Sequence, residues 1–374
     1  MVEKDWNVEM KVFFYFLIFF IFELMMMTLI NNTHVLAGNQ QNCSPYENET
    51  DIHRQSACST DRPIKDIVSS LNGRILIGVS NVGVYYWDIN SGRIINSFIA
   101  HGNSIAGISS ISENFKNNEI ITASSNGFAK IWALNTNQFK RRYCPGRILL
   151  NAKFSPNGKL IGIFVATKGI IVYDRNSGKI ITEINEKKYG MSGELSYNLE
   201  FTLDSMNIIF YGKSNIILWD IYRRKEYYKF TDNTETINSF DYSPDGKYLN
   251  FSTDKGRVGI WNFYDREYLG AIKVGKNIKS VKFSNDSKLM LYVTSAKIGI
   301  LDLKGQTKSK ITSQVEKFTN AIFTKDNTRI ITVSSDDNQD STNYPVGDVL
   351  KIWSVYDGHY IRKLQRIYQL KFRP

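Results

Sequence analysis

The chain has 374 residues, with 47 Lys/Arg against 36 Asp/Glu and a formal net charge of +11. Its 42% hydrophobic content excludes a disordered chain, and its length allows a large core or two ordinary domains. The 22 Phe and 21 Tyr suit strands better than helices, and no long stretch past residue 60 sustains a helical period. The first 62 residues hold four Lys/Arg and eight Asp/Glu, so the positive excess sits in the remainder. A basic body suggests acidic partners: proteins, nucleic acid or anionic lipid.

Residues 12–22, VFFYFLIFFIF, form an uninterrupted apolar run, which Glu23 interrupts before LMMMTLI continues to Ile30. Eleven residues are too few to span a bilayer and fit a signal-peptide core, with Val35-Leu36-Ala37 offering a cleavage site after Ala37. The leader MVEKDWNVEMK carries three acids, whereas a start at Met10 puts Met-Lys directly before the run. The rival is an uncleaved anchor over residues 12–30, in which Glu23 costs roughly 2.5–3.5 kcal/mol mid-membrane. Lys4 and Lys11 precede the run and no Lys or Arg occurs from 31 to 53, so both readings place the body outside the cytoplasm. The expected organisation is a signal or anchor at 1–37, a polar linker at 38–62 and a body at 63–374, periplasmic or secreted. It touches membrane only through residues 12–30, if these stay uncleaved. Cys43 and Cys58 in the linker can pair in an oxidising compartment, leaving Cys144 as the odd thiol.

From residue 63 the chain is periodic. YWDINSGR, IWALNTNQ, VYDRNSGK, LWDIYRRK, IWNFYDRE, ILDLKGQT and IWSVYDGH place anchors at Trp87, Trp132, Tyr173, Trp219, Trp261, Leu301 and Trp353, 40 to 52 residues apart. A second string recurs as SSLNGR, FSPNGK, FTLDSM, YSPDGK, FSNDSK and FTKDNT, beginning at 69, 154, 201, 242, 283 and 323, with SISENF at 110 a looser version. In residues 242–263, Pro244 presets φ, Asp245 tolerates the next turn position and Gly246 closes it. Lys247 to Thr253 then alternates as a half-buried strand, and Asp254-Lys255-Gly256 turns the chain back toward Trp261. A period in the forties with four short strands per unit is the sign of a propeller blade, and seven anchors make seven blades.

The pattern resembles the WD-repeat (WD40) family of β-propellers over residues 63–374, carried by Trp87-Asp88, Tyr173-Asp174, Trp219-Asp220 and Leu301-Asp302 with the SPDG-type turns. A PD40-like member fits equally. The resemblance implies an all-β, seven-bladed propeller of four-stranded antiparallel blades that works as a non-catalytic protein-interaction scaffold. It also implies a hydrogen-bonded set in blade two: His101, Ser124, Asn126 in place of Asp, and Trp132. Residues 64–69 and 367–372 both read as the first strand of blade one, and seven anchors leave room for one of them.

Chemistry is sparsely signalled. The four His are His34, His53, His101 and His359, and only the last two lie in the propeller, in different blades. There is no zinc-ligand spacing, P-loop, GxSxG or HExxH, so no catalytic residue, metal or cofactor is expected. A lactonase- or quinoprotein-like enzyme using the central channel is the alternative, and a ring of inward-facing acids would favour it. In the insert SDDNQDSTNYPVGD (335–348), Asp336, Asn338 and Asp340 match the first three ligand positions of a calcium loop. Ser341 replaces the needed Gly and Gly347 sits where a bidentate Glu belongs, so a solvated acidic loop is expected. Lys168, Lys187, Lys188, Lys213, Lys255, Arg257 and Lys297, with Lys273 and Lys276, fall in turns or links of blades three to six that emerge on one side. They are expected to form an arc that docks an acidic protein partner, although any Lys-rich chain crowds its exposed turns with lysine. Binding to acidic ligands or anionic membrane is the second alternative. Nucleic acid is not expected for an exported chain, and a monomer is.

Overall fold

The computed structural model describes residues 63–365, apart from residues 71–72, 82, 102–106, 115, 147, 191–196, 232–234, 314–315 and 337–348. The apolar run at 12–30, the linker, Cys43 and Cys58 lie outside the described residues, as do residues 366–374. Among the described residues, no helix is long and apolar enough to cross a membrane.

Four consecutive strands pair in hairpin order to make each of seven antiparallel sheets. The blades span residues 66–99, 108–143, 149–185, 199–231, 237–273, 280–312 and 316–363. The one helix among the described residues is the single turn Glu186–Tyr189, after blade three, where Asn185 caps the Lys187 N–H. This is the seven-bladed propeller that the anchors predict.

Position within a blade sets the hydrophobic pattern. The second strand of blade three, Leu160–Val165, is buried along its length because both faces meet other blades. Its fourth strand, Ile180–Asn185, alternates between buried and exposed. The sequence follows suit: LIGIFV is continuously apolar and IITEIN alternates. In the YSPDGK turn, Ser243 Oγ donates to Asp245 Oδ1 (2.7 Å) and accepts from the Tyr248 N–H (2.8 Å), while Gly246 takes a φ of 77°.

No blade buries its own faces, so the core is divided into seven clusters, each straddling one interface. Each anchor packs toward the preceding blade. Trp132 joins Ile77, Val79 and Val84 of blade one, and Trp261 joins Ile209, Tyr211 and Phe230 of blade four. Trp87 is fully buried between blades seven and one. Burying one large apolar side chain contributes about 1.5–3 kcal/mol, so the interfaces hold the ring. In all seven blades the pairing of the third and fourth strands shifts register at the anchor, as between Leu218 and Trp219. An extra residue there raises the local twist and re-aims the anchor.

The ring closes without exchanging a strand among the described residues. Asp66–Ser69 is the first strand of blade one, so residues 64–69 take the contested place. The far end of the described chain closes the seam by hydrogen bonding. Trp87 Nε1 donates to Gln365 O (2.8 Å), Ile94 N donates to Gln365 Oε1 (3.0 Å), and Gln365 N donates to Gly92 O (2.7 Å).

Candidate functional site

Three places can carry function: the central channel, the face that bears the lysines, and the polar set of blade two. The channel is built by the first strands. Each is the inner edge of its sheet, with N–H and C=O groups that no further strand pairs. A side chain from the preceding blade meets them. Asp66 Oδ2 accepts from Ile111 N (3.1 Å), Ser110 Oγ from Ala152 N (3.1 Å), and Ser239 Oγ from Val281 N (3.4 Å). Asn151 Nδ2 donates to Tyr197 O (2.9 Å), Asn198 Nδ2 to Phe240 O (3.2 Å), and Lys279 Nζ to Phe318 O (2.6 Å). Asn320 Nδ2 reaches Asp66 Oδ1 at 3.5 Å and completes the circle.

The cavity so enclosed is about 790 Å³ and is lined by charged, polar and apolar side chains. Lys153, Glu200, Asp241 and Lys282 occupy the same register position in blades three to six. Lys153 pairs with Glu200, and Lys282 Nζ lies 3.1 Å from Asp241 Oδ1, whose Oδ2 accepts from Phe283 N (2.8 Å). Burial raises the pKa of Asp241 against the pull of Lys282. Burial opposes the Lys282 charge, but Asp241 and Glu200 outweigh it and hold its pKa up. Burial also raises Asp66, despite its two backbone hydrogen bonds, and Glu113, despite the nearby Lys325. Inward-facing acids are therefore present, interleaved with lysines.

Turns between second and third strands sit against the links between blades. Glu186 N donates to Lys168 O (3.1 Å), Ile237 N to Lys213 O (2.9 Å), and Val274 N to Gly256 O (2.9 Å). These turns and links therefore share one face. Lys187, Lys188, Lys213 and Lys255 are exposed and carry no ion pair among the described residues. Arg257 is exposed but sits 3.4 Å from Glu235. Lys168 pairs with Glu183 (3.1 Å), and the partly buried Lys297 donates to Val274 O (2.8 Å) over the Tyr292 ring. Asp336 ends the second strand of blade seven, and Asn338 and Asp340 lie outside the described residues. Among the described residues no group of three or more His, Cys, Asp or Glu is placed to hold a metal. Cys144, expected as the odd thiol, is disulfide-bonded, which corrects that expectation.

In blade two the hydroxyl at the centre of the set is Thr122, not Ser124. Trp132 Nε1 donates to Thr122 Oγ1 (3.0 Å), His101 Nε2 meets the same oxygen at 2.9 Å, and Asn126 Nδ2 lies 3.4 Å from His101 Nδ1. Ser124 instead bonds Gly107 O (3.2 Å). Trp132 pairs with Ile120 and Lys130 with Thr122 on the adjacent strand, so the hydrogen bond from Trp132 to Thr122 runs diagonally across the pair. The same pair recurs in blade seven, where Trp353 Nε1 donates to Thr332 Oγ1 (3.0 Å).

A family model for the WD domain, G-beta repeat (WD40), matches residues 224–262, from the turn before the outer strand of blade four to the anchor strand of blade five. The chain is a WD40-repeat β-propeller. No curated protein matches it in sequence. WD40 propellers commonly serve as protein-interaction scaffolds and are typically non-catalytic. What the sequence reading missed in this WD40 propeller is the charged channel. The signal is there: Lys153, Glu200, Asp241 and Lys282 each directly precede the aromatic residue that opens a turn string.

Proposed function

We propose that this WD40 propeller is a non-catalytic, extracytoplasmic platform that docks an acidic protein partner on its lysine-bearing face. The observation that carries the reading is the set of exposed lysines, Lys187, Lys188, Lys213 and Lys255, on consecutive blades and without ion pairs among the described residues. Unpaired like charges on one face steer an oppositely charged partner and suppress wrong ones. The disulfide at Cys144 supports an oxidising compartment, as does the apolar run at 12–30 with its flanking charges. The pairing of Lys153 with Glu200 and of Lys282 with Asp241 supports a channel that braces the ring rather than one that does chemistry.

The test is cross-linking of the tagged full-length chain in cells, followed by capture, for wild type and for Lys187→Glu/Lys213→Glu/Lys255→Glu. Lys297 is left intact because its ammonium serves Val274 O. Wild type should retain an acidic partner that the variant loses, and equal capture by both refutes the arc. Fractionation and sequencing of the mature N-terminus test export: a tag confined to the cytoplasm refutes it. A second reading, a channel enzyme, draws on Asp66 and Glu113, acids whose pKa values burial raises.

A further inference from the structure

The turn between the third and fourth strands of every blade holds one residue in the left-handed region. It is glycine in blades one, three, six and seven (Gly92, Gly178, Gly305 and Gly358) and Asn137 in blade two. Blades four and five put arginine there: Arg224 at φ 54° and Arg266 at φ 58°. A side chain with a Cβ is strained in this region, and such strain gathers where function holds it.

At three other strained positions, in the turns after first strands, the side chain returns a bond between blades. Ser205 Oγ accepts from Asn157 N (3.2 Å), Ser287 Oγ from Asp245 N (3.0 Å), and Asn327 Oδ1 from Asn285 N (2.7 Å). The Arg224 side chain makes no hydrogen bond, ion pair or ring contact among the described residues. Arg266 stacks on Tyr228 (4.4 Å) and Tyr227 (5.3 Å) of blade four, and no guanidinium N–H of its own finds an acceptor among the described residues.

Around the two arginines the surface is aromatic and apolar. Leu203, Met206, Tyr222, Tyr227 and Tyr264 are between 47% and 66% exposed. Leu203 of blade four and Tyr264 of blade five come together at the boundary between the two blades. A Cβ placed on Gly246 would meet Leu203 Cδ1 at 2.8 Å, Tyr242 Oη at 3.0 Å and Tyr264 Oη at 3.3 Å. The patch lies on the opposite face from the lysines, because the turns after first and third strands emerge together. Tyrosine and arginine clustered on an exposed apolar patch are what interface hot spots are made of.

We infer that this face of blades four and five is a second docking surface, built for a protein segment that carries carboxylates beside aromatic or aliphatic side chains. Charge complementarity selects that occupant. Arg224, Lys225 and Arg266 are cationic without an acidic partner among the described residues, and a guanidinium fork matches a carboxylate. Leu203, Met206 and Tyr264 supply the apolar floor.

The test uses Arg224→Gly/Arg266→Gly in the full-length chain, since glycine is what four other blades use at this position. Both proteins are panned against a phage-displayed random peptide library. Wild type should enrich peptides with Asp or Glu beside aromatic or aliphatic residues. The affinity of a selected peptide should fall by about tenfold or more in the double variant. Absence of acidic enrichment on wild type, or equal binding by the two proteins, would overturn the assignment. Sedimentation decides the rival occupant: a wild-type dimer that the double variant abolishes would give the patch to a second copy. The Arg224→Gly single variant should melt no lower than wild type, and a lower melting temperature would show that the arginine serves the fold.

Discussion

His101 is the most informative titratable group outside the channel. It is fully buried, and burial, reinforced by the charge of Lys130, pushes its pKa from 6.5 down to about 3. The hydrogen bonds are satisfied by a neutral ring that donates from Nε2 to Thr122 Oγ1 and accepts from Asn126 at Nδ1. As pH falls below 6.5 the unfolded chain takes up this proton, while the folded chain refuses it until about pH 3. Stability is therefore whole above pH 6.5 and is lost on acidification, at about 1.4 kcal/mol per pH unit. Between pH 6.5 and pH 5 the loss from this one group comes to about 2 kcal/mol. Asp66, Glu113 and Asp241 have raised pKa values and pull the other way, so the wild-type profile alone does not isolate it. His101→Gln does not titrate and keeps an amide donor toward Thr122. The assay is urea unfolding of both proteins at pH 7 and pH 5. Wild type is more stable at pH 7, and its advantage should shrink by about 2 kcal/mol at pH 5. An advantage that stays constant, or an NMR titration of His101 near its ordinary value, would refute the argument.

Trp87→Phe removes the donor to Gln365 O at the seam and should cost about 1–2 kcal/mol. Amide exchange should then quicken in blades one and seven ahead of the other five, whereas uniform quickening would show that the seam is not the weak point. Lys282→Met leaves the Asp241 carboxylate with only the Phe283 N–H. Because both side chains keep some solvent contact, the expected loss is about 2–3 kcal/mol, below that of a fully buried pair. Adding Asp241→Asn should recover part of that loss in urea midpoints, and strictly additive losses would mean the two groups do not interact.

Much of this architecture was legible because each blade repeats the same physical problem. An anchor must fill the gap to the preceding blade, so Trp87 and Trp219 stand out by size and spacing. A turn must bring the chain back, so Ser, Pro, Asp and Gly cluster before each second strand. The channel charges were harder to see because each stands alone, with the next equivalent charge a whole blade away, as with Lys153 and Glu200. Thr122 was passed over for Ser124 because spacing along the chain does not show which hydroxyl accepts the Trp132 N–H across the sheet. The seam is a matter of one residue: nothing in the sequence marks Gln365 as the partner of Trp87 and Ile94. The arginines at 224 and 266 look like ordinary charged turn residues until their φ angles are known.

Each blade is made of four strands that follow one another in the chain, and among the described residues none is borrowed from the other end of the ring. A chain leaving the ribosome meets its surroundings one stretch at a time. For this molecule every sheet can complete its own hydrogen-bond ladder as soon as about forty residues have emerged. No sheet waits with an open edge for a strand still to arrive. The last event is then a docking of finished surfaces, Trp87 against the chain at Gln365, rather than the insertion of a late strand. That order limits the time during which unpaired edges are available to neighbouring chains.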